Sequence, residues 1–454
     1  ESRAPPSRGA APRRTMSASK RLKTSEALLS TLDLDADRYV ALLSKLVGEA
    51  EKLQNNPAQG LYPREDLASD HVLAALAPYT GSGGPLTVER VAFTEGRGNV
   101  IITYKGATDQ SIAFVGSHMD VVPANPETWK RDPFKLTVEG DELHGRGTTD
   151  CLGHVALITE LFTQLAIHKP KLQRTVTAVF IANEENGEVK DIGVDQLMTT
   201  GKLDRLKSGP IIWVDCADSQ PCVGTAGSMW WTLKAVGKRF HSGLPDKGVN
   251  ALELANTAVA DLQECFYREF PARAEEKQWN FMIPSTMKPT QVKCAVGSVN
   301  QIPPWVEISG DVRLTPFYEV ADVRAKIAER VAALNADPAM LRTFGPASKY
   351  EIADCKGSLE FTWGEGFMEG IACRLDSEGH RALLAATEKV LGVAKPYSIG
   401  GSLPLVRNMQ RGGFDVQMTG FGLMSTYHAD NEYCKLADMK KGFAILRDVI
   451  EGLE

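Results

Sequence analysis

Four short apolar runs, each closing on a polar cluster, constrain this chain more than any other feature: SIAFVGSHMD (111–120), TVTAVFIANEE (175–185), PIIWVD (210–215) and FDVQMTGFG (414–422). They are β-rich and fall far short of the roughly 20 apolar residues a membrane-spanning helix needs. Helical stretches alternate with them, including HVALITELFTQLAIH at 154–168. This alternation predicts a mixed α/β sheet covered on both faces, with functional groups beyond the C-terminal ends of its strands. The polar clusters lie at those ends.

Between 226 and 375 the order changes to strand (SMWWTLKAVGK), helix (ALELANTAVADLQECFYREF), two strands (TQVKCAVGSV, WVEISGDVRLTP), helix (EVADVRAKIAERVAALN) and strand (SLEFTWGEG). That βαββαβ order predicts an inserted ferredoxin-like domain. The expected division is a leader over 1–24, a catalytic domain over 25–225, the insert over 226–375 and the rest of the catalytic domain over 376–454. A chain of 454 residues is long enough for both domains. The GEGFMEG run at 364–370 has the wrong spacing for a dinucleotide fingerprint and reads as a turn.

Fifty-one Lys plus Arg against 57 Asp plus Glu leave a net charge of −6, which gives no support to nucleic acid as a partner. Eight cysteines without a CxxC pair favour reduced thiols and argue against secretion. The first 23 residues carry seven basic residues and one acidic one. This composition is either that of a plastid or mitochondrial transit peptide or that of a disordered leader upstream of a start at Met16. The expected compartment is the cytoplasm or an organellar stroma or matrix. A helix is expected from about residue 25, with Thr24 as its N-cap.

The polar clusters hold the chemistry. In GSHMDVVP, His118 and Asp120 alternate onto one side of a strand end. There His118 suits a metal ion and Asp120 can accept the imidazole's second N–H. The alternative is a satisfied strand-end histidine. Asp150 sits in a Gly-rich turn that opens a helix, where it is either a ligand or an N-cap. Glu184 and Glu185 follow a strand and point in opposite directions, so one suits metal binding and the other proton transfer. Their repulsion calls for positive charge nearby. Asp215 ends a strand, with Asp218 three residues later, and His428 lies in a turn after the last strand. Two imidazoles and three carboxylates make an N/O set suited to paired Zn²⁺ or related ions.

These residues stand in SHMDVVP, GRGTTDCLG, ANEEN, IIWVDCADSQPCVGTAG, FHSGLPDKGVNALEL, VNQIPPWVEISGDVRLTP and STYHADNEY. In those segments the chain resembles the dinuclear zinc family that includes acetylornithine deacetylase, succinyl-diaminopimelate desuccinylase, aminoacylase and carboxypeptidase G2. The later segments look especially like the plant-type acetylornithine deacetylases. The resemblance implies a phosphorylase/hydrolase-like catalytic domain holding two Zn²⁺, with Co²⁺ or Mn²⁺ as alternatives. It makes His118 and His428 terminal ligands of separate metals, Asp150 the bridge, Glu185 and Asp215 the remaining ligands, and Glu184 the general base. An ungapped alignment selects Asp215 and a short gap would select Asp218.

The resemblance further implies that His241 stabilises the oxyanion, often from a partner subunit, and that Arg313 and Asn300 bind the substrate carboxylate. Arg313 can equally serve a structural ion pair. Gly401 and Ser402, after Gly400, are implied to line the pocket by close backbone approach, unless the glycines only permit a tight turn. Leu152 and Asn183 stand where many members have Lys and Asp. The implied reaction is hydrolysis of N²-acetyl-L-ornithine, a step of arginine biosynthesis, in a homodimer joined through the insert. Another N-acyl-amino-acid hydrolase, a dipeptidase, or a non-catalytic metal-binding homologue are the alternatives. No GxSxG elbow or GxxxxGK[ST] loop supports a serine hydrolase or a nucleotide hydrolase.

Overall fold

The computed structural model describes residues 29–187, 189–345 and 347–454. The basic leader and the expected Thr24 cap lie outside the described residues. The start of the helix expected from about residue 25 lies there too; within the described residues helix α1 (Ala36–Gly48) is capped by Asp35, which accepts from Arg38 N at 3.0 Å. Helix α2 (Glu65–Leu76) follows, then strands β1 (Leu86–Ala92), β2 (Gly98–Tyr104) and β3 (Ser111–His118). Helix α3 (Leu152–His168), β4 (Thr175–Ile181), β5 (Pro210–Val214) and β6 (Cys222–Thr225) complete the first part of the chain.

Every residue of β3, β4 and β5 is buried, and alternate side chains enter two different cores. Ile112, Phe114, Val176, Phe180 and Ile212 join the core under α1, α3 and the C-terminal helix. Ala113, Val115, Val179, Ile211 and Trp213 join the core on the opposite face. The apolar runs are continuous because both faces of each strand are covered.

The chain then forms a separate four-stranded sheet from β7 (Gly227–Val236), β8 (Thr286–Cys294), β9 (Trp305–Leu314) and β10 (Ser358–Met368). All its pairs are antiparallel, in the order β8-β9-β7-β10. That is the arrangement of a ferredoxin-like βαββαβ unit. Helices α4 (Ala251–Glu269) and α5 (Val320–Ala336) pack on one face, where Val306, Ile308, Val312 and Leu314 of β9 are buried. The GEGFMEG run is not the expected turn: residues 364–368 continue β10 with a register shift between Trp363 and Phe367. Strand propensity and pairing with β7 carry the glycines through as a bulge.

The chain is back in the large sheet at β11 (Ile371–Ala372), which pairs with β6, a few residues ahead of Asp376. Strand β12 (Tyr397–Ile399) also pairs with β6, and β13 (Asp415–Thr419) runs parallel to β5. The large-sheet order is β1-β2-β4-β3-β5-β13-β6-β11, with β3, β4, β5 and β13 mutually parallel. Among the described residues no helix is long and apolar enough to cross a membrane. All eight cysteines are free.

Candidate metal centre

Because β3, β4, β5 and β13 are parallel, the segments that follow them meet at one edge of the sheet. His118 is aimed there by an irregularity in β3, whose register with β4 shifts between Val115 and His118. Gly116 permits it: its φ is +96°, and a Cβ would stand 2.5 Å from the Trp213 ring. Asp120 does not orient the imidazole in the way its spacing predicts. His118 Nδ1 lies 2.8 Å from the backbone oxygen of Asp120, against 3.5 Å from its carboxylate. The carboxylate instead accepts from Glu184 N (3.1 Å), Glu185 N (3.0 Å) and Asn55 Nδ2 (2.8 Å). It ties the end of β4 to the end of β3.

Asp150 stands between two sets of side chains. Its Oδ1 is 2.9 Å from His118 Nε2, and its Oδ2 is 2.8 Å from His428 Nε2. Asp215 Oδ1 lies 3.5 Å from His118 Nε2, while Glu185 Oε2 lies 3.2 Å from His428 Nε2. Glu184 turns the other way from Glu185, with Oε2 3.9 Å from His118 Nε2. Asp150 is not a helix cap: Cys151 occupies that position in α3 without a side-chain bond. Asp218 is exposed and accepts from Met424 N at 3.0 Å, so only Asp215 enters the cluster.

The charge balance calls for cations. Asp120, Asp150, Glu184, Glu185 and Asp215 have side chains at least nine-tenths buried around two imidazoles. Burial, then the Asp150 charge, pushes Glu185 up to about 7 against the pull of His428. Burial and the Asp215 charge push Glu184 well above the usual carboxylate range. Burial opposes the charge on His428, yet Asp150 and Glu185 outweigh it and raise the ring to about 11. Glu185 Oε1 and Asp150 Oδ2 are buried without an aligned hydrogen-bond donor. His118, Asp150, Asp215 and Cys151 offer ligand atoms within 4.8 Å of one another, as do Asp150, Glu185 and His428. This donor set fits two divalent ions sharing one carboxylate.

The signature of Peptidase family M20/M25/M40 matches residues 114–452. The chain belongs to this family. It is 52% identical over 437 residues to the acetylornithine deacetylase of Arabidopsis thaliana, covering 95% of this chain and 99% of that protein. It is 48% identical over 442 residues to that of Dictyostelium discoideum, covering 94% and 99%. Among solved M20-like folds, human carnosine dipeptidase 1 superposes with a TM-score of 0.61 at 17% identity, covering 95% of this chain and 98% of that one. A di-peptidase from Saccharomyces cerevisiae gives 0.63 at 15%, with the same coverage. These two structures speak to the fold alone.

The remaining sequence candidates of this M20-family chain lie apart from the cluster. His241 is exposed in a loop that pairs with the Asn300 loop through Ser242 N to Asn300 O (2.9 Å). Arg313 is on the helix-free face of β9, and its Nε donates to Asp311 at 2.6 Å, so the ion pair exists. Ser228 lies directly across from Arg313, and its Oγ is 3.5 Å from Ser402 Oγ, which draws Arg313 and Ser402 to the junction of the two sheets. Gly400 and Gly401 have neither positive φ nor close backbone neighbours. No neighbouring backbone requires glycine at either position, and the space beside Gly400 is open.

Sequence reasoning missed the supports. Glu432 is fully buried; its Oε1 accepts from Thr149 N (2.7 Å) and Asp150 N (2.9 Å) and its Oε2 from Arg146 Nη1 (2.7 Å) and Gly147 N (2.9 Å). Tyr427 donates to Asp215 Oδ1 at 2.9 Å. Asn183 adopts a left-handed φ of 61°, tolerated by Asn, and accepts from Asn55 and from Arg97, itself paired with Glu65. Leu152 is buried against Gly147. The Gly-rich turn signals that its N–H groups need an acceptor, but nothing local says that an acid some 280 residues away supplies it.

Proposed function

We propose that the chain is a dinuclear metal-dependent amidohydrolase that converts N²-acetyl-L-ornithine to acetate and L-ornithine. The observation that carries the chemistry is Asp150, whose two oxygens face separate histidine and carboxylate sets. The choice of substrate is supported by the two acetylornithine deacetylases at about half identity over nearly full length. His118 and Asp215 would hold one ion, His428 and Glu185 the other, and Asp150 both. When bound, two divalent ions polarise the amide carbonyl and acidify the attacking water, and zinc suits the donors.

The chain's own groups supply the rest. Glu184 takes a proton from the attacking water and returns it to the departing amine nitrogen, which leaves poorly unless protonated. Asp120 positions it through the Glu184 and Glu185 N–H groups. His241 Nδ1 accepts from Gly243 N at 3.0 Å, so the neutral ring carries its proton on Nε2 and offers a donor to the carbonyl oxygen. Arg313 presents a planar fork for the substrate carboxylate, with Gly401 and Ser402 lining that end, while Asn300 acts together with the His241 loop it pairs with. Because His241 is exposed on the second unit, it serves the centre of a partner copy in a homodimer. Eight free cysteines support a reducing compartment, cytoplasmic or organellar.

The test is metal analysis joined to a hydrolysis panel of acetylornithine, acetylmethionine, succinyl-diaminopimelate and simple dipeptides. Two equivalents of metal and a preference for acetylornithine are expected. A strong preference for acetylmethionine overturns the substrate while leaving the metal chemistry intact.

A further inference from the structure

Cys151 is fully buried immediately after the shared carboxylate, and its sulfur belongs to the same set of candidate ligand atoms as His118, Asp150 and Asp215. Its surroundings determine which groups donate to it. His154 Nε2 accepts from Phe421 N at 2.8 Å, and a backbone N–H can only donate. The neutral ring therefore carries its proton on Nδ1, which lies 3.0 Å from Cys151 Sγ. The sulfur is the acceptor of that bond. Its own proton faces Val214 O at 3.6 Å, an oxygen that also accepts from Ser117 Oγ at 2.9 Å. Loss of the thiol proton would thus leave neither the sulfur nor the carbonyl without a partner.

We propose that Cys151 is a fourth, sulfur ligand of the His118 half of the centre, supported by His154, so that this half is the more thiophilic of the two. On binding, the S–H bond breaks, a sulfur–metal bond forms and the proton leaves to solvent. The other half has three ligands, Asp150, Glu185 and His428, and the His428 side chain is 51% exposed. The His118 half therefore holds its ion more tightly and prefers zinc to manganese, since thiolate favours soft ions.

This inference rests on the dinuclear reading, and cobalt separates the two. The full-length protein is stripped with chelator, loaded with Co²⁺, and its absorption spectrum compared with those of Cys151→Ser, Cys151→Ala and Cys216→Ser. Visible cobalt bands report the centre, and a near-ultraviolet sulfur-to-cobalt band reports a thiolate ligand. The expected result is a sulfur band in the parent and in Cys216→Ser, lost in both Cys151 variants while the visible bands remain. Zinc affinity of the tighter site, read by chelator competition, should fall about 10–100-fold in Cys151→Ser. Visible bands without a sulfur band, or a sulfur band that survives in Cys151→Ser, overturn the ligand role and leave the dinuclear centre standing. A parent protein that binds no cobalt overturns both.

Discussion

Replacing Glu432 with Gln tests whether the metal centre depends on a residue that touches no metal. Each carboxylate oxygen of Glu432 accepts two donors: Arg146 and Gly147 N on one side, Thr149 N and Asp150 N on the other. A carboxamide of the same shape must turn its NH₂ toward one of these pairs. Keeping the buried Arg146 paired is worth about 3–5 kcal/mol, so the amide oxygen stays on that side. The NH₂ then opposes Thr149 N and Asp150 N. Two buried donors left without acceptors cost about 1–3 kcal/mol each, or about 2–6 kcal/mol of folding stability. The displaced N–H groups include the backbone of Asp150, so the shared carboxylate moves with them. Affinity for both ions should fall by about 10–100-fold, as is usual when an outer partner of a ligand is lost. Urea unfolding of the metal-free protein reads the first effect, and competition with a chromogenic chelator reads the second. A variant within about 0.5 kcal/mol of the parent that binds both ions equally well would refute the argument.

Three further outcomes follow from the same geometry. Glu184→Gln should lose at least about 10²-fold in kcat, the low end for a general base, while metal content by elemental analysis stays at the parent level; an active variant rules out the assigned proton transfer. Asp215→Asn should lose one metal equivalent while Asp218→Asn keeps both, because only Asp215 faces His118; the reverse pattern would reinstate Asp218. In the folded metal-free protein, Glu65 and Glu185 are raised to about 7 by burial, from the usual range near 4.5. The folded state then holds protons the unfolded chain has released, so stability present below about pH 4.5 is lost as pH rises through about 7. Thermal midpoints of stripped protein should fall from about pH 5 to about pH 7.5, and added metal should restore most at the higher pH; a flat or rising midpoint contradicts this.

Much of the site was legible because its residues end strands. Continuous apolar runs marked β3, β4, β5 and β13 as covered on both faces, and parallel pairing brings their C-terminal ends together. His118, Glu184, Glu185 and Asp215 could thus be named from local pattern, and opposite pointing of adjacent residues divided Glu184 from Glu185. Asp215 against Asp218 was open, since three residues of loop set no direction. The roles of Asp120 and Glu432 were hidden for a related reason. Asp120 bonds 64 residues away and Glu432 bonds across more than 280, and no local period encodes such a partner.

Sequence alone determined which residue types stand where the strands end, because burial and backbone periodicity act within a few neighbours. Only the tertiary structure decided which oxygen of Asp150 faces which histidine, and that Cys151 receives a hydrogen bond from His154. Those facts depend on how the bulge at Gly116, the turn held by Glu432 and the left-handed backbone at His428 aim side chains at one point. A position in space set by several distant segments at once is a property of their packing, and no one of them carries it.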